Sequence, residues 1–150
     1  MQLSKISDDL IKDEYVKRFR LPENGIICSG EDAAKHLETY LGKKRDRECF
    51  VVVYLNGRNQ IIHTEILFEG TLTTAAVYPR EVVKRIVKLG AAAILIAHNH
   101  PSGNPSPSND DRIVTRKIKD ACLLIDVQLH DHIILVPGGS YTSFADKGML

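Results

Sequence analysis

Residues 91 to 111, AAAILIAHNHPSGNPSPSNDD, constrain the fold of this chain more than any other stretch. An apolar run reads as a buried strand and ends in H-N-H. Pro101 bars it from continuing as an ordinary central strand. Gly103, Pro105 and Pro107 restrict the path of the loop, which then delivers the chain to a helix start at Ser108. Side chains two apart in a strand point to the same side, about 6–7 Å apart along it. His98 and His100 can therefore converge on one cation. Asp111 lies in the first turn of the helix and can point back toward the strand end. Taken alone, Ser108 to Asp111 is an S-x-x-D capping box. The coincidence of H-x-H, a stiff turn and an acid at a helix start points instead to a metal site. Two imidazoles, one carboxylate and a water make up a catalytic zinc site, whereas structural sites are usually closed by four protein ligands. The same donor count also suits a 2-His-1-carboxylate iron site.

The rest of the chain supplies alternating elements. A short helix is expected near Asp8 to Phe19, followed by a loop with turn chemistry at Pro22 and Asn24-Gly25. Ser29 can cap a second helix, whose inward stripe is Ala33, Leu37, Tyr40 and Leu41 and which Gly42 ends. ECFVVVYL reads as a strand covered on both faces, NGRN as a hairpin turn, and QIIHTEILFEGTLTTAAVY as one long or two short strands. Pro79 opens a helix with Val82, Val83, Ile86, Val87 and Leu89 on one side. The helix from Ser108 to Leu124 turns Ile113, Val114, Ile118, Ala121 and Cys122 inward. VQLHDHIILV is a strand, PGGS a turn, and the end a closing strand with a short helix. This order describes an α/β (α+β) sandwich around a mixed sheet. Residues 1–29 are expected to form an arm and residues 30–150 the domain.

Composition narrows the function classes. Hydrophobic residues are 43% and charged residues 26%, ordinary for a globular chain of 150 residues. A net charge of +1 gives no global basic field for nucleic acid. The densest basic run, Lys43 to Arg47, reads as a solvated helix end. Cys28, Cys49 and Cys122 are an odd, widely spaced set, which argues against a disulfide framework or a cysteine zinc cage. No run is long enough to cross a bilayer and the start is polar, so the expected location is the cytoplasm. His130 and His132, in HDH, are expected to share one strand face, with His132 in a hydrogen-bonding role rather than at a second metal. His36 and His63 have no evident partner in sequence.

HNHPSG…PSNDD resembles the JAMM signature of MPN-domain metalloproteases, in which a distant Glu precedes H-x-H, seven residues, Ser, two residues and Asp. FEGTL, VYPREVVKRIV, AAAILIAHNHPSG and DHIIL are similar to the RadC family over roughly residues 30 to 149. The resemblance implies an MPN/JAMM-like (cytidine deaminase-like) fold, with a mixed sheet sandwiched by helices. It implies that His98, His100 and Asp111 hold one Zn2+ per chain and that Ser108 stabilises the oxyanion. It places the general base at Glu48, with Glu65 and Glu69 as rivals. The implied activity is hydrolysis of amide bonds in a peptide or protein. Two alternatives stand beside it. One is a DNA-repair-associated protein acting on nucleic acid through a local patch at Lys43 to Arg47, Arg85 or Lys117. The other is a non-catalytic MPN interaction module, which usually loses zinc ligands. RadC proteins typically carry an N-terminal helix-hairpin-helix region, and residues 1 to 29 are too short for it.

Overall fold

The structure, a computed structural model, describes residues 7–19, 21–22, 24–41, 46–70 and 77–150. Five strands form one mixed sheet in the order β2-β1-β3-β4-β5. These are β1 (Cys49–Leu55), β2 (Ile61–Glu69), β3 (Ala93–Asn99), β4 (Gln128–Leu135) and β5 (Tyr141–Ser143). The helices are α1 (Asp8–Phe19), α2 (Gly30–Leu41), α3 (Pro79–Leu89) and α4 (Asn109–Leu124). β3 and β4 are parallel, a pairing that requires a crossover, and α4 supplies it. The other neighbours are antiparallel. This is the mixed α/β sandwich expected from the element order.

Strand pleating divides the core into two layers. Val51 and Val53 of β1 with Leu95 and Ala97 of β3 meet Ala33, Leu37 and Leu41 of α2. Phe50, Val52 and Tyr54 with Ile94 and Ile96 meet Val82 and Ile86 of α3 and Val114, Ile118 and Cys122 of α4. All side chains of β1 and β3 are buried, as continuous apolar runs require. Each fully buried Val, Leu or Phe stabilises the fold by about 1.5–3 kcal/mol. His98 follows Ile94 and Ile96 at the strand period, so it faces the α3/α4 layer.

Ser29 caps α2, its hydroxyl accepting from Asp32 N–H at 3.1 Å. Pro79 opens α3, and Gly90 closes it in the left-handed conformation, φ 66°. Two helix-face expectations need correction. Val87 of α3 is 67% exposed and Ile113 of α4 is 37% exposed. Each follows or precedes a buried residue by one position, about 100° around the helix. The buried rows are instead Val82 and Ile86 on α3, and Val114, Ile118 and Cys122 on α4. The helix stop at Gly42 and most of the Lys43 to Arg47 run lie outside the described residues, as does the sequence just past Gly70. Asp46 and Arg47 are exposed. Cys49 and Cys122 are buried core residues and Cys28 is exposed, all three as free thiols. Among the described residues, no helix is long and apolar enough to cross a membrane.

Candidate metal centre

The carboxyl end of β3 and the amino end of α4 meet where the parallel pair β3/β4 opens, the usual place for a site in an open α/β sheet. Gly103 (φ 84°) turns the intervening loop back, its N–H bonding the His100 carbonyl at 3.1 Å. Asp111 sits in the first turn of α4, where the helix dipole favours its charge. Its Oδ1 lies 3.1 Å from His98 Nε2 and its Oδ2 lies 3.2 Å from His100 Nε2. The two Nε2 atoms are 2.8 Å apart. Among the described residues, these three form a group whose donor atoms all lie within 4.8 Å of one another. A tetrahedral ion with bonds of about 2.0–2.1 Å would hold neighbouring donors roughly 3.3 Å apart, so the donor set fits one ion. His98 and Asp111 are buried, while His100 keeps the rim accessible.

The electrostatics favour an ionised acid. Burial pushes the Asp111 carboxyl up, but hydrogen bonds from His100 and His98 outweigh it and hold the group well below the usual carboxylate range. The bond to Asp111 raises the His100 pKa above 6.5 against burial, helped by the Asn104 carbonyl and by the charges of Asp111 and Glu48.

A second layer behind His98 was not legible in sequence beyond the hydrogen-bonding role expected of His132. His98 Nδ1 lies 2.8 Å from His132 Nε2, and His132 Nδ1 lies 2.5 Å from Thr115 Oγ1. Thr115 Oγ1 also donates to the Asp111 carbonyl at 2.6 Å. Thr115 has one hydroxyl hydrogen, so the second short contact needs a hydrogen from His132 Nδ1. Burial keeps the pKa of His132 well below 6.5, so it is neutral and its Nε2 is bare. That nitrogen accepts from His98 Nδ1–H. With a hydrogen held on Nδ1, His98 Nε2, which donates to Asp111 in the metal-free protein, is the nitrogen that would ligate on giving up its hydrogen, the outer-layer arrangement typical of metal-bound histidines.

His130 and His132 do not share a face. Ile94 pairs with Leu129 and the next residue, Leu95, with Asp131, so His130 is the extra residue of a bulge. His130 instead reaches Asn59 at 2.8 Å. His36 is buried, its Nδ1 accepting from Leu21 N–H and its Nε2 3.0 Å from Thr64 Oγ1. His63 stacks on Tyr54. These three are structural contacts away from the centre.

The β1/β3 ladder ends at Phe50–His98; Glu48 lies two residues before Phe50 and His100 two residues after His98, so both stand just past that end of the ladder. Glu48 is half-buried, and its charge is felt at His100. Ser108 completes the expected capping box, its hydroxyl oxygen accepting from Asp111 N–H at 3.0 Å while its own N–H bonds Asp111 Oδ2 at 2.7 Å. The cap uses an oxygen lone pair and leaves the hydroxyl hydrogen to donate elsewhere, so the capping and oxyanion roles are compatible. Glu65 is held by Tyr54 Oη at 2.8 Å and by Arg85 at 3.3 Å. Glu69 alternates with Phe68, which packs in the α3/α4 layer, and so points to the opposite face from His98. Of the cations considered for a phosphate-tracking surface, Arg85 is in that Glu65 pair and Lys117 is exposed.

Two outcomes follow for metal uptake. Thr115→Val removes the acceptor for His132 Nδ1–H and is expected to weaken zinc binding by about 10–100-fold, with Thr115→Ser restoring it. Competition against a chromophoric chelator reads this. To ligate, His100 must release its proton. Because its pKa is raised, proton competition begins above pH 6.5, and zinc affinity then falls up to ~10-fold for each further unit of acidification from this one group. Isothermal titration at several pH values checks the slope. Raised in the fold, His100 stabilises the metal-free protein below 6.5, and that contribution is lost as pH rises through its folded pKa.

Comparison with known proteins agrees with this architecture. A family model described as the RadC-like JAB domain matches residues 27–149. The chain is 43% identical over 131 residues to a UPF0758 protein of Aliivibrio fischeri, covering 87% of this chain and 58% of that protein. It is 42% identical over 128 residues to one of Photobacterium profundum, covering 85% and 57%. With one of Vibrio vulnificus it shares 45% over 119 residues, covering 77% and 53%. The chain thus spans a little over half the length of these relatives. The matched segment contains the whole sheet, α2 to α4 and the His98–His100–Asp111 group, and on it the chain belongs to the RadC-like JAB domain family.

Proposed function

We propose that this domain is a zinc-dependent hydrolase of amide bonds, a peptidase or isopeptidase in type, with one Zn2+ per chain held by His98, His100 and Asp111. The convergence of those three donors within 4.8 Å, with the His98 tautomer fixed from behind, carries the reading. When bound, zinc acts as a Lewis acid that brings the pKa of a coordinated water near 7 and polarises a carbonyl. The chain's own residues do the rest. Glu48, whose charge acts on His100, takes the proton of the attacking water and passes it to the leaving amine. Ser108 donates its hydroxyl hydrogen to the oxygen on which negative charge develops. Asp111 contributes charge and is fixed by the cap it shares with Ser108. The substrate is a peptide or protein that reaches the rim at His100.

The test is a panel of quenched peptides and isopeptide-linked conjugates, with Glu48→Gln as control. Cleavage by zinc-loaded protein that disappears on chelation and in Glu48→Gln supports the reading. Fully zinc-loaded protein that cleaves no amide, or cleavage that survives chelation, counts against it.

A further inference from the structure

The β1/β3 ladder runs from Leu55–Ala93 to Phe50–His98 and stops there. The next pair in that register is Cys49 and Asn99, where a side chain takes over from the backbone. The Asn99 carboxamide oxygen accepts from Cys49 N–H at 2.7 Å. Its amide nitrogen donates to the Arg47 carbonyl at 2.8 Å. The two bonds fall on either side of Glu48, whose own carbonyl accepts from Gly70 N–H at 2.9 Å. Asn99 is 6% exposed, and strand alternation turns it away from the face of His98 and His100. The residue between the two histidines therefore does not join the metal donors.

We propose that Asn99 is a positioning residue for Glu48, locking the main chain on both sides of that carboxylate to the strand end where His98 and His100 flank Asn99. The proposal rests on the reading of Glu48 given above. The clamp needs one donor and one acceptor on the same short planar group. Asparagine has both, aspartate accepts but cannot donate, leucine does neither, and glutamine is one methylene longer. A carboxylate displaced by about 1 Å from its working position costs on the order of 10²-fold in rate, so a rigid link between base and metal ligands has chemical value.

The experiment uses the full chain loaded with Co2+ in place of zinc. The visible spectrum is followed from about pH 5 to 9, the range in which a catalytic metal centre titrates. Wild type, Glu48→Gln, Asn99→Leu and Asn99→Asp are compared. Asn99→Leu is expected to keep one Co2+ per chain and to move the midpoint in the same direction as Glu48→Gln, by more than half as much. Asn99→Asp keeps the Cys49 bond and is expected to move it less. If Asn99→Leu does not fold, the same-sized Asn99→Asp decides. Asn99 variants that titrate like wild type, while Glu48→Gln shifts the midpoint, overturn the proposal and leave the role of Glu48 standing. A Glu48→Gln variant that itself titrates like wild type overturns both.

Discussion

Glu48→Gln is expected to leave the metal bound and to lower amide hydrolysis by about 10²–10⁴-fold, the range typical of a lost general base. The substitution keeps the size and shape of the side chain and removes only its ability to take a proton. Glu48 stands just before β1, near enough for its charge to act on His100 but outside the His98–His100–Asp111 group. Its loss should therefore be visible in turnover and not in metal content. Metal analysis and steady-state kinetics on the same sample separate the two. A variant that loses its metal would make Glu48 a ligand. A variant that turns over normally would pass the proton-transfer role to another group. Glu65 is poorly placed for it, being committed to Tyr54 and Arg85.

Asp111→Asn is expected to abolish metal binding at micromolar metal while leaving most of the fold intact. The carboxylate does two jobs, accepting from the Ser108 N–H and facing both imidazole Nε2 atoms. An asparagine can keep the cap with its carbonyl oxygen. Its amide then presents hydrogens, not a charged donor atom, to the two imidazoles. Loss of a direct ligand should exceed the 10–100-fold typical of outer-layer partners. Stability should fall by about 1–3 kcal/mol, since hydrogen bonds to a charged group are exchanged for neutral ones. Chelator competition measures the first effect and urea denaturation of the metal-free proteins the second. Unchanged affinity would remove Asp111 from the donor set.

The part of the fold written in contiguous sequence was legible. Residues 91–124 announce a buried strand, a stiff loop and a helix in order, and the structure has β3, the loop and α4 there. His98, His100 and Asp111 were visible for the same reason, since all three lie within 14 positions of chain. What could not be read depends on pairing between distant segments. His132 reaches His98 across 34 positions, and Asn99 reaches Arg47 across 52. Neither contact leaves a local pattern. The bulge at His130 is a property of the β3/β4 pairing, so the H-x-H of HDH reads as one face in sequence and is not. Val87 and Ile113 misled because each helix carries more apolar residues than its buried row can hold.

Whether this domain holds an ion at all separates a metal centre from a merely structural loop. The most direct measurement is the metal content of the purified full chain by elemental analysis, before and after stripping and reloading with zinc. About one zinc per chain is expected, removed by chelation and restored by reloading. A wild-type protein that is metal-free as isolated and takes up no zinc at neutral pH would contradict it, leaving the loop and its capping box as structural features alone.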